Sequence, residues 1–494
     1  LQKSDNIEKM NDAFRKLLIG SGYSFLALVV IKFTDLGGSI IKARLLEPKN
    51  LGMFAIVKYL LELLGIFTIL GIPTAMVKFI AEEKDNTKIT KIISSAFITM
   101  LIPTITICSI IYCTSQKIAI NIYNEPSLTI LIRISIITLF GVSLFSFGSS
   151  FLQGLQEIKK LASTRIVTSI LGIPIVIILI YYAGLKGAIV SMTVSSFIGT
   201  GILWWMIRRV WSPVKWDLML TLDLNFVKKL LNLSFPTFLS GVVMIPILWI
   251  VTTRLSLLHG FTQVGMFNVA YVLVQLILFI PTAIGIPLVP KVSEINKTKK
   301  VELSKFLFLS LYLTGVVALF LAISFSLFSK FILHILYGTK YLPAWRVLIF
   351  LSIAIFLASI TYIIGYYLLG VGKMWIGMGF NLIWSICVVI GVYVFLPQYK
   401  AEGIGRAYFL AYGIMNVGML IFIKNKEKIK IKPIVGLVVR GITWGVVSYL
   451  VVKFLKGREF LLGSLTILIM FGVGEYFCFP FKERLKKIIM KRIK

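Results

Sequence analysis

Apolar runs of about twenty residues or more recur from near the start of this chain to near its end, separated only by short polar loops. Each run is long enough to cross the roughly 30 Å hydrocarbon core of a bilayer as a helix. Hydrophobic residues make up 58% of the 494, and the mean hydropathy is +0.93. A soluble fold of this length has no interior large enough to hide that much apolar surface, whereas lipid does. The pattern predicts an all-α polytopic membrane protein with about 14 transmembrane helices. They fall at approximately 17–43, 51–79, 90–114, 127–153, 161–183, 187–207, 231–256, 263–290, 304–329, 342–369, 374–396, 401–423, 433–454 and 459–480.

Charge then orients the spans. Lys and Arg number 52 against 20 Asp and Glu, a net +32. The basic residues crowd into alternate loops, including Arg208, Arg209, Lys228 and Lys229, the run Lys424 to Lys432, and the tail Lys482 to Lys494. Such asymmetry marks the cytoplasmic side. The expectation is a multi-pass protein of the cytoplasmic membrane with both termini in the cytoplasm. Basic charge spread over short loops suits topology and anionic head groups, and it excludes nucleic acid as a partner. Residues 1–16 are polar, with no cleavable leader, and read as an amphipathic surface helix with Phe14, Leu17 and Leu18 on its apolar side. Cys108, Cys113, Cys387 and Cys478 lie in apolar spans without metal-ligand spacing, and His259 and His334 are far apart, so no metal site is expected. No Walker A sequence appears, which excludes nucleotide hydrolysis by this chain.

The chain also repeats itself. Leu51-Gly52-Met53-Phe54 returns as Val264-Gly265-Met266-Phe267, and Gly71-Ile72-Pro73 as Gly285-Ile286-Pro287. Leu152-Gln153-Gly154 matches Leu368-Leu369-Gly370, Gly187-Ala188 matches Gly403-Ile404, and Tyr123 fits Tyr337, all at a nearly constant spacing along the chain. A register this steady implies two parallel six-helix repeats with two extra C-terminal helices. The expected organisation is an N-terminal segment 1–16, a first lobe 17–207, a linker 208–230, a second lobe 231–423, an appendix 424–480 and a basic tail 481–494.

Within the first repeat, the stretch Ile31 to Phe79 carries charges where a lipid-facing helix should have none: Lys32 and Asp35 in the first span, Lys58 and Glu62 in the second. Counted back from the turn at Glu47 to Asn50 along two antiparallel helices, Asp35 and Lys58 sit level, roughly 12 Å in, with Lys32 opposite Glu62 slightly deeper. Ionisable groups inside a membrane need partners or water and mark functional sites by default. Two readings stand. The four form interhelical ion pairs that fix the register of spans one and two, or they line a cavity where the lysines meet an anion and Asp35 takes up a coupling H+ or Na+. The second repeat's equivalent, Arg254 to Lys291, keeps the turn and the Gly-Ile-Pro run but has no mid-helix charge, and the asymmetry favours a working site. Arg254 and Arg44 end equivalent spans and read as rim residues or cavity ligands, and Arg133 starts span four as a snorkelling residue or ligand. Arg440, inside span thirteen, is placed to pair with Glu475 or to line a groove for a lipid tail. Pro73, Pro236, Pro246, Pro281, Pro287 and Pro290 interrupt spans; Pro73, Pro236 and Pro287 are the expected kinks of moving helices.

These details together resemble one family. Arg44-Leu45-Leu46-Glu47-Pro48 before Gly52-Met53-Phe54 is similar to the turn after the first span of polysaccharide flippases, and Gly71-Ile72-Pro73 to their second-span end. Ile335-Leu336-Tyr337-Gly338 with Tyr341, Ala344 and Arg346, and Leu369-Gly370-Val371-Gly372-Lys373 with Leu152-Gln153-Gly154, resemble the stretches that flank their tenth and fourth spans. The chain is thereby identified as a member of the multidrug/oligosaccharidyl-lipid/polysaccharide (MOP) flippase superfamily, in the Wzx-like branch that exports oligosaccharides. The resemblance implies V-shaped, MATE-like lobes, alternating access and no enzymatic activity. It implies as cargo a polyprenyl or dolichyl phosphate or diphosphate carrying an oligosaccharide, with membrane lipids and other polysaccharide-assembly proteins as partners. No cofactor is implied beyond a coupling ion.

Other functions remain open. A cation-coupled drug exporter of the same superfamily would want carboxylates in its lobes, yet the second repeat has no Asp or Glu in the body of its six spans. A peptidoglycan-precursor flippase differs in cargo more than in physics. A membrane glycosyltransferase or polymerase would need a sizeable outer loop with catalytic residues, and the loops here are short.

Overall fold

The computed structural model describes residues 2–210, 223–296, 300–427, 432–455 and 464. Among them the chain is helical throughout, without a strand. The order is α1 (Gln2–Leu45), α2 (Pro48–Ile69), α3 (Ile72–Glu82), α4 (Asn86–Lys117), a π-helical turn (Ile118–Ile122), α5 (Leu128–Gly154), α6 (Ile158–Val210), α7 (Leu224–His259) and α8 (Phe261–Val274). It continues with α9 (Phe279–Asn296), α10 (Lys300–Leu327), α11 (Ser329–Tyr337), a 3-10 turn (Thr339–Ala344), α12 (Trp345–Gly370), α13 (Met374–Tyr399), α14 (Ala401–Glu427) and α15 (Lys432–Phe454).

Ten of the described helices are long and apolar enough to cross a membrane, or 11 if α8 and α9, bent by 49°, count as one broken span. One of the ten, α6, merges two expected spans at Gly184 (φ 51, ψ −128), a backbone only glycine adopts without strain. The fourteenth expected span, the basic tail, Glu475 and most of the linker lie outside the described residues. The backbone of residues 2–16 runs straight into α1 rather than forming a separate segment.

By packing, the chain divides into Leu1–Asn268 and Val269–Lys494, so α7 and the first turns of α8 pack with the first repeat. In the first unit α1 runs principally along α6 and makes few contacts with α2. The tight α1–α2 hairpin expected from the sequence is therefore open. A core of Ile72, Met76, Ile80, Ile93, Phe147, Phe151, Leu203 and Leu230 joins α3, α4, α5, α6 and α7. Gly52 of α2 and Gly265 of α8 meet backbone to backbone: a Cβ on Gly52 would strike the Phe261 carbonyl oxygen, and one on Gly265 the Pro48 carbonyl oxygen. Two sequence-equivalent glycines thus make one helix crossing, as small residues do between membrane helices.

In the second unit α12 is the central helix, with 17 of its 26 residues buried, and α9, α10, α13, α14 and α15 pack around it. Near the end of α15, the Lys330 ammonium donates to the Val452 carbonyl at 2.9 Å, a cation on the negative end of a helix. Glu402, at the head of α14, is buried and held by Arg406, whose Nε donates to it at 2.9 Å.

Each unit carries the repeat in atomic detail. Thr200 Oγ1 donates to the Gly141 carbonyl at 3.1 Å, and at the equivalent place in the second repeat Asn416 Nδ2 donates to the Leu357 carbonyl at 2.9 Å. The turn after α5 closes with the Glu157 amide donating to Leu152 at 2.9 Å, and the turn after α12 with the Lys373 amide donating to Leu368 at 2.8 Å. Gly184 finds its counterpart in Lys400, at φ 53 and ψ −137.

The prolines fall differently from one another. Pro73 opens α3 after a left-handed break at Leu70 (φ 50) and Gly71 (φ 69), so it starts a helix instead of kinking one. Pro236 and Pro246 sit inside the continuous α7. Pro287 lies within α9, beyond the α8–α9 bend.

Candidate functional site

On an α-helix, positions i, i+3, i+7 and i+10 fall on one face. In α1 those positions are Lys32, Asp35, Ser39 and Lys42. The face is assembled in the first unit: Asp35 lies within Coulombic reach of Lys58, Lys32 and Lys42. Lys42 in turn interacts with Lys58 and Asp35, and its ammonium sits over the Phe54 ring of α2, 4.9 Å from the centroid. Ser39, one turn from both Asp35 and Lys42, is 5% exposed, and its hydroxyl has no hydrogen-bond partner among the described residues. Lys58 pairs along its own helix with Glu62 at 3.7 Å, both side chains partly open at 38% and 45%. Beside it, Tyr59 is buried and its hydroxyl donates to Asn268 Oδ1 at 2.8 Å, tying α2 to α8.

The structure thus gathers Lys32, Asp35 and Lys58, with Glu62 attached through Lys58, and adds Lys42, which sequence reading passed over. Lys42 escaped notice because it sits only a few residues from the turn, where a basic residue looks like an interface anchor. Its spacing from Asp35, two turns along the same face, was the available clue. The ion pair that forms is an i,i+4 pair within α2, and Asp35, exposed on α1, is within electrostatic reach of three lysines. Charges so placed between apolar helices can hold an anion, with Asp35 partly compensating their mutual repulsion.

The remaining candidates sit elsewhere. Arg44 is exposed in the last turn of α1. Arg254 is partly buried towards the end of α7. Arg133 is engaged by α4: its Nε donates to Ser115 Oγ at 3.1 Å, and its guanidinium lies 5.0 Å from the Tyr112 ring centroid. Arg440, in the second unit, is partly buried on α15.

A further set of polar contacts surrounds the α1–α2 turn. Lys49 pairs with Glu125 at 3.1 Å. A hydrogen bond from Ser127 and the Lys49 ammonium hold the Glu125 carboxyl below the usual carboxylate range. Next to it, Tyr123 hydrogen-bonds Thr253 of α7 at 2.7 Å.

The apolar helices define a class: all-helical, multi-pass membrane proteins. Within that class the chain belongs to the family described as polysaccharide biosynthesis protein, which it matches over residues 17–296. It is 26% identical over 286 residues to an uncharacterized membrane protein of Methanocaldococcus jannaschii. That alignment takes in 54% of this chain and 64% of the relative, so the chain spans less than two thirds of the curated relative's length. Among solved structures, the lipid II flippase MurJ in an inward closed conformation superposes with a TM-score of 0.75 at 16% identity, over 92% of this chain and 98% of that one. An inward-facing MATE-family multidrug resistance transporter of the MOP superfamily gives 0.70 at 15% identity, over 81% and 94%. A MOP superfamily transporter from Pyrococcus furiosus, described as having a binding pocket of reverse polarity, gives 0.58 at 15% identity, over 89% and 96%. At these identities the structures show a shared fold. With ten or more helices of spanning length, the protein is a multi-pass membrane protein of the polysaccharide biosynthesis family.

Proposed function

We propose that this protein flips a lipid-linked oligosaccharide, a precursor of cell-surface polysaccharide or glycan, across the cytoplasmic membrane by alternating access, with both its termini in the cytoplasm. The observation that carries the reading is the grouping of Lys32, Asp35 and Lys42 on one face of α1, with Lys42 over Phe54 of α2 and Lys58 of α2 within electrostatic reach. A polyprenyl or dolichyl diphosphate needs such a place, because its anionic head cannot enter hydrocarbon unaccompanied while its tail stays in lipid. Asp35 takes up the coupling ion, H+ or Na+, when the lysines release the head group. Membership of the polysaccharide biosynthesis family supports this cargo.

A second reading, a peptidoglycan-precursor flippase, draws on the likeness of fold to MurJ and would use the same lysines. A cation-exporting role is disfavoured by the local excess of positive charge. The test is reconstitution in vesicles with a fluorescent polyprenyl diphosphate-linked oligosaccharide, a lipid II analogue and a lipophilic cationic dye as separate cargoes. Movement of the oligosaccharide lipid supports the reading. Movement of the lipid II analogue alone establishes the second, and dye efflux without lipid movement overturns both.

A further inference from the structure

The second unit holds a set of side chains that the charge cluster leaves unused. Trp384 of α13 packs against Tyr408 and Tyr412 of α14, with ring centroids 5.6 and 5.1 Å away, and the two tyrosines lie 6.4 Å apart. All three are at least nine-tenths buried. Tyr362 of α12 is within Coulombic range of both tyrosines, and Tyr366, one turn further along α12, interacts with it and hydrogen-bonds Thr282 of α9. Tyr362 and Tyr366 are only partly buried, so the cluster has an approachable side.

Two polar atoms in this region lack partners among the described residues. One is the Trp384 indole N–H, a donor. The other is Asn416 Oδ1, an acceptor one turn beyond Tyr412, on a side chain 1% exposed. A buried donor and a buried acceptor left unmet are costly unless something meets them. The residue types are also particular to this unit. At the equivalent positions, the first repeat has Ser146, Ser150, Thr168 and Ser196 where the second has Tyr362, Tyr366, Trp384 and Tyr412. The helix geometry is shared, down to the Thr200 and Asn416 hydrogen bonds, so the two repeats fill equivalent positions with different chemistry.

The chemistry selects the occupant. A lipid tail would leave both the N–H and the amide oxygen unmet. A lipophilic cation would suit the ring faces, but the carboxylate at the head of α14, Glu402, is already taken by Arg406. A sugar ring offers C–H faces to aromatic rings and hydroxyls that donate and accept at its rim. We propose that Trp384, Tyr408, Tyr412, Tyr362 and Asn416 form a carbohydrate site in the second unit that takes a neutral sugar residue of the cargo. The proposal rests on the flippase reading above and extends it: recognition of the glycan is assigned to different residues from recognition of the phosphate.

The test measures equilibrium binding to the full chain in lipid nanodiscs with two probes, undecaprenyl diphosphate and the same lipid bearing a neutral disaccharide. The wild type is expected to bind the glycosylated lipid about tenfold more tightly. Trp384→Phe keeps a ring but loses the N–H, and Tyr412→Phe loses one oxygen. Each is expected to remove most of that advantage while affinity for the bare diphosphate lipid stays unchanged, which also shows that the variant is folded. Should Trp384→Phe lose both affinities, Tyr412→Phe decides. Equal wild-type affinity for the two probes, as expected if only ordered water fills the cluster, or a preference retained in Tyr412→Phe, overturns the proposal. Failure of the flippase reading shows separately, as absent transport in vesicles while the sugar preference persists.

Discussion

Lys42 and Lys58 interact across α1 and α2 although both are cations, with Asp35 and Glu62 offsetting them in part. An arrangement of this kind is stabilised when a doubly charged anion enters it. Lys58→Ala and Lys42→Ala are each expected to slow flipping of a diphosphate-linked lipid by about ten- to a hundredfold without loss of expression; the initial rate in vesicles reads it. Unchanged rates would leave the cluster as a device for helix register. Glu125 supplies a prediction in pH. Its folded pKa lies below its unfolded value, so its contribution is fully present above the ordinary carboxylate range and is lost as pH falls through the folded value. The pair is partly exposed, with Lys49 57% open, and is worth about 0.2–1 kcal/mol. Thermal unfolding of Glu125→Gln against wild type should differ near neutral pH and converge in acid. At this scale the sequence revealed Lys32, Asp35, Lys58 and Glu62, because charge inside an apolar run is conspicuous. It did not reveal that Lys58 meets Glu62 on its own helix, since both choices satisfy the same spacing, nor the Tyr123–Thr253 bond, which joins hydroxyls 130 residues apart.

Helices were legible wherever an apolar run had clear ends. Their breaks were less so. Nothing about Leu70 announces a left-handed residue, yet it ends α2 and lets Pro73 open α3. Which helix packs on which was also hidden: α1 chooses α6 over its sequence neighbour α2, because side-chain fit between helices, not loop length, decides the pairing. The α2–α8 crossing is a demanding contact of the first unit. Gly52→Leu or Gly265→Leu places a side chain where a carbonyl oxygen stands, and should cost about 3 kcal/mol, seen as a lowered melting temperature and poor recovery from detergent. Asp223 caps α7 by accepting from the Asn225 and Phe226 amides at 3.0 and 3.2 Å. Asp223→Ala should cost about 1 kcal/mol, a smaller shift in the same measurement.

Across the whole chain the repeat was the most legible feature, and the structure carries it down to single hydrogen bonds at equivalent positions of the two halves. Short matches such as Gly187-Ala188 with Gly403-Ile404 sufficed because tight turns tolerate few residues. The division of packing at Asn268, beyond the linker that separates the repeats, was not legible; it follows from side-chain contacts of α7 with α2, α3 and α4. On one scaffold the two halves have diverged, with ionisable residues placed in α1 and α2 of the first and aromatic residues in α12, α13 and α14 of the second. The central claim is that the charges of the first unit receive an anionic lipid head group. Its most direct measurement compares binding of a polyprenyl diphosphate with that of the corresponding uncharged polyprenol, in wild type and in Lys42→Ala/Lys58→Ala. The account predicts that the wild type favours the diphosphate by at least about a hundredfold and that the double variant loses most of that preference. Equal affinity for the two lipids in the wild type, or a preference undiminished in the double variant, would contradict it.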